Sequence, residues 1–180
     1  MTNQFKFKIV IIGDGGVGKT SLIKKFTQGT FQKDYIKTIG AQFTRLEKKI
    51  NEDKISLIFW DIAGQSSYDF LNPLFYRESR ACIIVYSLEK NELGSESFKN
   101  MVNWHKELKM RCGDIPVVIF ANKVDLIEGD DLDTSKLQNI SEKLKIFSFY
   151  QTSAKTGQGV NDAFNVIIEE LYKKSKVLSS

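Results

Sequence analysis

The stretch GDGGVGKT, residues 13–20, directly follows the apolar run FKFKIVII (5–12) and leads into SLIKKF. A strand that ends in a glycine-rich turn and passes into a helix with Gly-x4-Gly-Lys-Thr spacing leaves few folds open. The glycines let backbone N–H groups converge on phosphate oxygens, and the helix N-terminus adds partial positive charge. Lys19 can reach terminal phosphates, and the Thr20 hydroxyl can ligate Mg²⁺. The competing reading is a glycine-rich turn with an incidental lysine, and the strand-to-helix context argues against it. Candidate phosphate-site residues are Gly13, Asp14, Gly15, Gly16, Val17, Gly18, Lys19, Thr20 and Ser21.

Beyond this loop, strand-like and helix-like runs alternate. AQFTRLEKKI (41–50) and KISLIFWD (54–61) alternate in polarity and are joined by NED, a hairpin signal. ACIIVY (81–86), DIPVVIFA (114–121) and KIFSFYQ (145–151) read as later strands, and residues 95–110, 133–144 and 159–174 carry apolar residues at helical spacing. Such alternation implies βαβ crossovers: a mostly parallel sheet of six strands with one antiparallel edge, about five helices, and three α/β/α layers. With 180 residues, 42% apolar and 12% aromatic, the chain is expected to form one domain over residues 1–180 around a sizeable core.

Charge and cysteine usage exclude several classes. The net charge of +4 comes from 26 basic residues spread among 22 acidic ones, which gives no nucleic-acid footprint. The basic run YKKSK (172–176) reads as a solvated helix end rather than a membrane patch. Cys82 and Cys112 have no metal-type spacing and cannot form a disulfide framework; Cys82, within ACIIVY, is expected in the core. The start MTNQFKFK carries no secretory or myristoylation signal, and the end KVLSS offers no cysteine to prenylate. The expectation is a cytoplasmic protein without a visible lipid anchor, reaching membranes only through partners or a missing tail. His105, the single histidine, is expected on a helix surface.

In open parallel sheets, ligands sit beyond the carboxyl ends of the strands, so chemistry is sought after each apolar run. Asp61 ends ISLIFW, where a carboxylate suits a Mg²⁺ site, directly or through water. Gly64 in DIAGQ would let its backbone approach a γ-phosphate, and Gln65 could orient an attacking water. Taken alone, Asp61 would equally be an ordinary strand-end aspartate; the phosphate loop favours the functional reading. After VVIFA comes Asn122-Lys123-Val124-Asp125. The Asp125 carboxylate can accept from guanine N1–H and the 2-amino group, a donor pair that adenine lacks. After KIFSFY, Thr152-Ser153-Ala154-Lys155 could bring a backbone N–H to guanine O6.

GDGGVGKT, Thr38, DIAGQ, NKVD and TSAK, in this order, resemble the nucleotide-binding segments of the Ras superfamily of small GTP-binding proteins, and the resemblance runs from about Phe5 to Lys174. It implies the G-domain fold of phosphate-loop NTPases, with GDP or GTP and Mg²⁺ as ligands. The implied roles place Lys19 on the β/γ-phosphates, Thr20, Thr38 and Asp61 on Mg²⁺, and Gly64 and Gln65 at the γ-phosphate and the water. Phe31, Tyr35, Asn122, Lys123, Asp125, Leu126, Ser153, Ala154 and Lys155 would complete the nucleotide pocket, and Gln65, Lys19, Thr38 and Gly64 the catalytic set. Switch regions are implied around 31–43 and 62–76, with an exchange factor, a GTPase-activating protein and state-dependent effectors as partners.

YIKTIGAQF (35–43) is most similar to the Rab branch, in which Phe43, Trp60 and Phe75 would match an effector-facing aromatic triad; otherwise these are core aromatics. The chain departs from that branch at Ser66 and Ser67 after the glutamine, at Ser87 in VYSLEK, at Pro73, and in its tail.

The four arginines, Arg45, Arg77, Arg80 and Arg111, lie outside the phosphate loop and away from Thr38 and Gln65 in sequence. Without an arginine in cis, GTP hydrolysis is expected to be slow and stimulated by a partner. A nucleotide-locked interaction module that binds GTP without cycling is the alternative, opposed by the presence of Gln65 and Gly15. A phosphate-loop kinase or ATPase is disfavoured by Asp125.

Overall fold

In the second half of the first strand, β1 (Gln4–Ile12), successive side chains from Ile9 to Ile12 are apolar and buried in both directions. Phe7, Ile9 and Ile11 enter one core, and Val10 and Ile12 enter a second. A strand that must be covered on both faces belongs inside a layered sheet. The computed structural model, which describes residues 3–31, 40–63, 72–127 and 134–179, places it there. The sheet contains β2 (Ala41–Ile50), β3 (Asp53–Ile62), β4 (Ala81–Ser87), β5 (Val117–Asn122) and β6 (Ser148–Thr152) in the order β2-β3-β1-β4-β5-β6. Only β2–β3 is antiparallel, with Ile50 opposite Asp53; every other pair is parallel. The tight link between them turns at Asn51, whose φ of 53° suits an asparagine.

Among the described residues, five α-helices cover the two faces: α1 (Lys19–Gln28), α2 (Asn72–Tyr76), α3 (Glu92–Cys112), α4 (Thr134–Leu144) and α5 (Val160–Ser179). Leu22 and Ile23 of α1 pack with Phe164, Ile167 and Ile168 of α5 on one face. Phe164 stacks on Phe26 at 4.3 Å and meets Phe59 and Phe120 edge-on, so rings from two strands and two helices meet at one point. Tyr76 of α2, Met101 and Leu108 of α3, and Leu137 of α4 fill the other face. Cys82 lies in this second core, as expected, while Cys112 and His105 are half-buried on α3. Among the described residues, no helix is long and apolar enough to cross a membrane.

The element ends follow local chemistry. β5 starts at Val117 rather than 114, because Pro116 has no N–H for the ladder. α3 begins at Glu92, three residues before its apolar periodicity, because the Asn91 side chain accepts from Gly94 N at 3.0 Å. β1 lies between β3 and β4, where the chain's progress across the sheet reverses direction, so a crevice opens beyond the carboxyl end of β1.

Candidate functional site

The segments after β1, β5 and β6 meet at this crevice with the end of β3. After β1 the backbone turns through Gly13 and Gly18, whose φ angles of 137° and 102° lie where side chains are strained. A Cβ on Gly13 would sit 2.1 Å from the Val85 carbonyl oxygen, and one on Gly18 would sit 2.3 Å from Asn122 Nδ2. The loop therefore packs against β4 and β5 with no room for side chains at these two points. Lys19, first residue of α1, is buried, and its Nζ donates to the carbonyl oxygens of Gly13 at 2.7 Å and Asp14 at 2.8 Å. Burial pushes its ammonium down to about 8, against the pull of the Asp61 and Asp14 carboxylates. An anion placed here would relieve that desolvation. Thr20 Oγ1 donates to Asp61 Oδ2, joining the start of α1 to the end of β3. A hydroxyl and a carboxylate brought together are hard oxygen donors of the kind Mg²⁺ selects, so the residues present fit that ion.

On the far side of the loop, Asn122 holds three segments together. Its Nδ2 donates to the Val17 carbonyl at 2.8 Å, and its Oδ1 accepts from Ala154 N at 3.2 Å and Thr152 Oγ1 at 3.3 Å. Asp125, in the short 3-10 turn Val124–Leu126, accepts from Ser153 Oγ at 2.6 Å and lies 3.8 Å from Lys155 Nζ. Thr156 N donates to the same Ser153 Oγ, so the turn after β6 and the turn after β5 share one hydroxyl. Lys123 adopts a left-handed φ of 70°, and its ammonium pairs with Glu89. Glu89 also accepts from Ser87 Oγ at 2.9 Å. Burial raises the Glu89 carboxyl, but the bonds from Lys123 and Ser87 outweigh it and hold the group below its ordinary range. The substitution at Ser87 is thus accompanied by a carboxylate two residues later that engages Lys123.

Phe43, Trp60 and Phe75 come together as a row of tilted rings with both centroid separations at 5.9 Å, Phe43 exposed at one end and Trp60 packed partly into the second core. Lys8 Nζ lies 4.4 Å from the Trp60 ring centre and donates to the Arg77 carbonyl at 2.8 Å. Ala63 N donates to Gly40 O at 2.8 Å, linking the ends of the two segments expected to switch. Gly15, Gly16 and Ser21 lie in or next to the phosphate loop, and Phe31 and Leu126 are exposed. Tyr35, Thr38, Gly64 and Gln65 lie outside the described residues, as do Ser66 and Ser67. Two residues with no motif of their own also reach the loop: Asn100 and Trp104 of α3 both bond the Asp14 carboxylate. No sequence signal announces them, since the contact spans 86 and 90 positions.

The sequence model of the Ras family matches residues 8–173. The Ras-related protein Rab-5A of Dictyostelium discoideum is 35% identical over 170 residues, covering 94% of this chain and 82% of that protein. The Ras-related protein Rab7 of Drosophila melanogaster is 33% identical, covering 96% and 84%, and human Ras-related protein Rab-21 is 31% identical, covering 96% and 75%. A phosphate-type loop on β1, a switch-point crevice and a family match over nearly the whole chain lead to one conclusion: the chain belongs to the Ras family of small GTP-binding switch proteins.

Proposed function

We propose that residues 1–180 form one G domain that binds GDP or GTP with Mg²⁺ and hydrolyses GTP slowly. The observation that carries this reading is the buried Lys19 ammonium, cradled by the Gly13 and Asp14 carbonyls beside the Thr20–Asp61 pair. Backbone amides of residues 13–18 and Lys19 hold the phosphates. Thr20 and Asp61, with Thr38, would hold Mg²⁺, which supplies charge neutralisation on the phosphate oxygens. Asp125, oriented by Ser153, accepts from the guanine edge, while Asn122, Lys123, Ala154 and Lys155 shape that pocket. Phe31, Tyr35 and Leu126 flank the nucleotide. Gly64 sits against the γ-phosphate, and Gln65 orients the attacking water by accepting and donating together.

Slow chemistry is supported by where the arginines lie. Arg80 precedes β4, Arg77 follows α2 and Arg111 lies in the last turn of α3, at the opposite end of the sheet, while Arg45 pairs with Glu47 on the edge strand. None supplies charge at the crevice in cis, so an activating protein would supply it in trans. An exchange factor resets the nucleotide, and effectors read the segments 31–43 and 62–76 through Phe43, Trp60 and Phe75. By likeness to its Rab relatives, the protein works in intracellular trafficking, in the cytoplasm and at membranes reached through partners or a lipidated extension.

Single-turnover hydrolysis of preloaded GTP tests the reading. The wild-type rate is expected below about 0.01 per second. Gln65→Leu should slow it further while leaving GTP retention within about twofold. A wild-type rate near about one per second, or equal turnover by the variant, would contradict it.

A further inference from the structure

Asn100 and Trp104 lie one turn apart on α3 and so share a face. Asn100 Nδ2 donates to Asp14 Oδ2 at 2.8 Å, and Trp104 Nε1 donates to Asp14 Oδ1 at 2.7 Å. Both carboxylate oxygens are therefore engaged by neutral donors from a helix outside the loop. The carbonyl oxygen of the same residue accepts from Lys19 Nζ at 2.8 Å. Asp14 thus divides its groups: the carbonyl faces the lysine and the carboxylate faces α3.

This division matters because a phosphate loop is a poor place for a carboxylate. Turned inward, Asp14 would repel phosphate and offer Lys19 a charged acceptor in competition with it. Turning it inward requires breaking two charge-assisted hydrogen bonds at once. We propose that Asn100 and Trp104 are positioning residues that hold the Asp14 carboxylate away from Lys19 and thereby slow nucleotide release. The proposal rests on the guanine-nucleotide reading given above, and it makes α3 a lever on nucleotide retention.

The test loads the full chain with N-methylanthraniloyl-labelled GDP, chases with unlabelled GDP and follows release. Trp104→Phe keeps an aromatic ring but removes the donor, and should speed release about threefold; adding Asn100→Ala should bring the total to about tenfold. Introducing Asp14→Ala into either background removes the competing carboxylate and should return release to within about twofold of the wild type. A contact that merely braces the loop predicts the reverse, since losing Asp14 would not repair a lost brace. Release unchanged in the double variant, or not slowed by Asp14→Ala, overturns the proposal. If the double variant does not fold, Trp104→Phe with and without Asp14→Ala makes the same comparison. A wild-type chain that takes up no labelled GDP overturns the nucleotide reading along with this one, whereas equal release rates overturn only the positioning role.

Discussion

Single residues at the crevice are held by neighbours from other motifs or from outside any motif. Asp125 sits in a motif, but Ser153 Oγ, donating to it at 2.6 Å, fixes the direction of its carboxylate. In the proposed guanine pocket, a carboxylate so oriented would accept from a base edge that offers two donors and repel one that offers a carbonyl. Asp125→Asn should therefore lower GTP affinity by on the order of a hundredfold and favour xanthine nucleotides, which present a carbonyl to the amide's donor. Competition binding against labelled xanthosine diphosphate measures this, and GTP affinity that survives the change would remove Asp125 from base recognition. The carboxylates at positions 61 and 125 were legible because each follows an apolar run. The Asp14 contacts with Asn100 and Trp104 were not, since only the packing of α3 against the first loop brings those side chains together.

At the scale of elements, apolar periodicity set the order and type of the strands and of every helix but α2, while ends depended on hydrogen bonds that periodicity does not carry. Pro116 delayed β5, the Asn91 cap advanced α3, and α5 ran on to Ser179, beyond the last apolar repeat. That last extension has a physical cause. Lys176 Nζ and Tyr172 OH, both from α5, reach the Asp53 carboxylate at 2.8 and 2.9 Å, and Asn3 N donates to it at 2.8 Å. α5 and the start of β1 are thus tied to the β2–β3 turn. The bond from Lys176, then that from Asn3, hold the Asp53 carboxyl down to about 2. A carboxyl depressed in the folded state stabilises the fold above its unfolded value near 4, and loses that contribution as pH falls towards 2. The melting temperature of the wild type should exceed that of Asp53→Asn at pH 6, with the gap closing between about pH 4 and pH 2. A gap that stays constant across that range would show that the tie does not depend on charge.

Across the whole molecule, two cores on opposite faces of one sheet fix where β3 ends and where the loops beyond β1, β5 and β6 emerge. The strand order places the first of these loops at the reversal point, and Asn122 ties it to the turn after β6. The mostly parallel sheet with one antiparallel edge followed from the alternation of strands and helices, whereas the strand order and the Asn122 bridge did not. The segments carrying Thr38 and Gln65 were legible only as motifs. In the function proposed above, this end of the sheet selects a guanine nucleotide, with Lys19 gripping phosphate and Asp125 choosing the base. Displacement of labelled GDP from the wild-type chain by unlabelled GTP and ATP tests it most directly. GTP at about micromolar concentration should displace the label fully while ATP at the same concentration leaves it bound, because adenine cannot supply the donor pair that Asp125 accepts. Equal displacement by ATP would contradict the account.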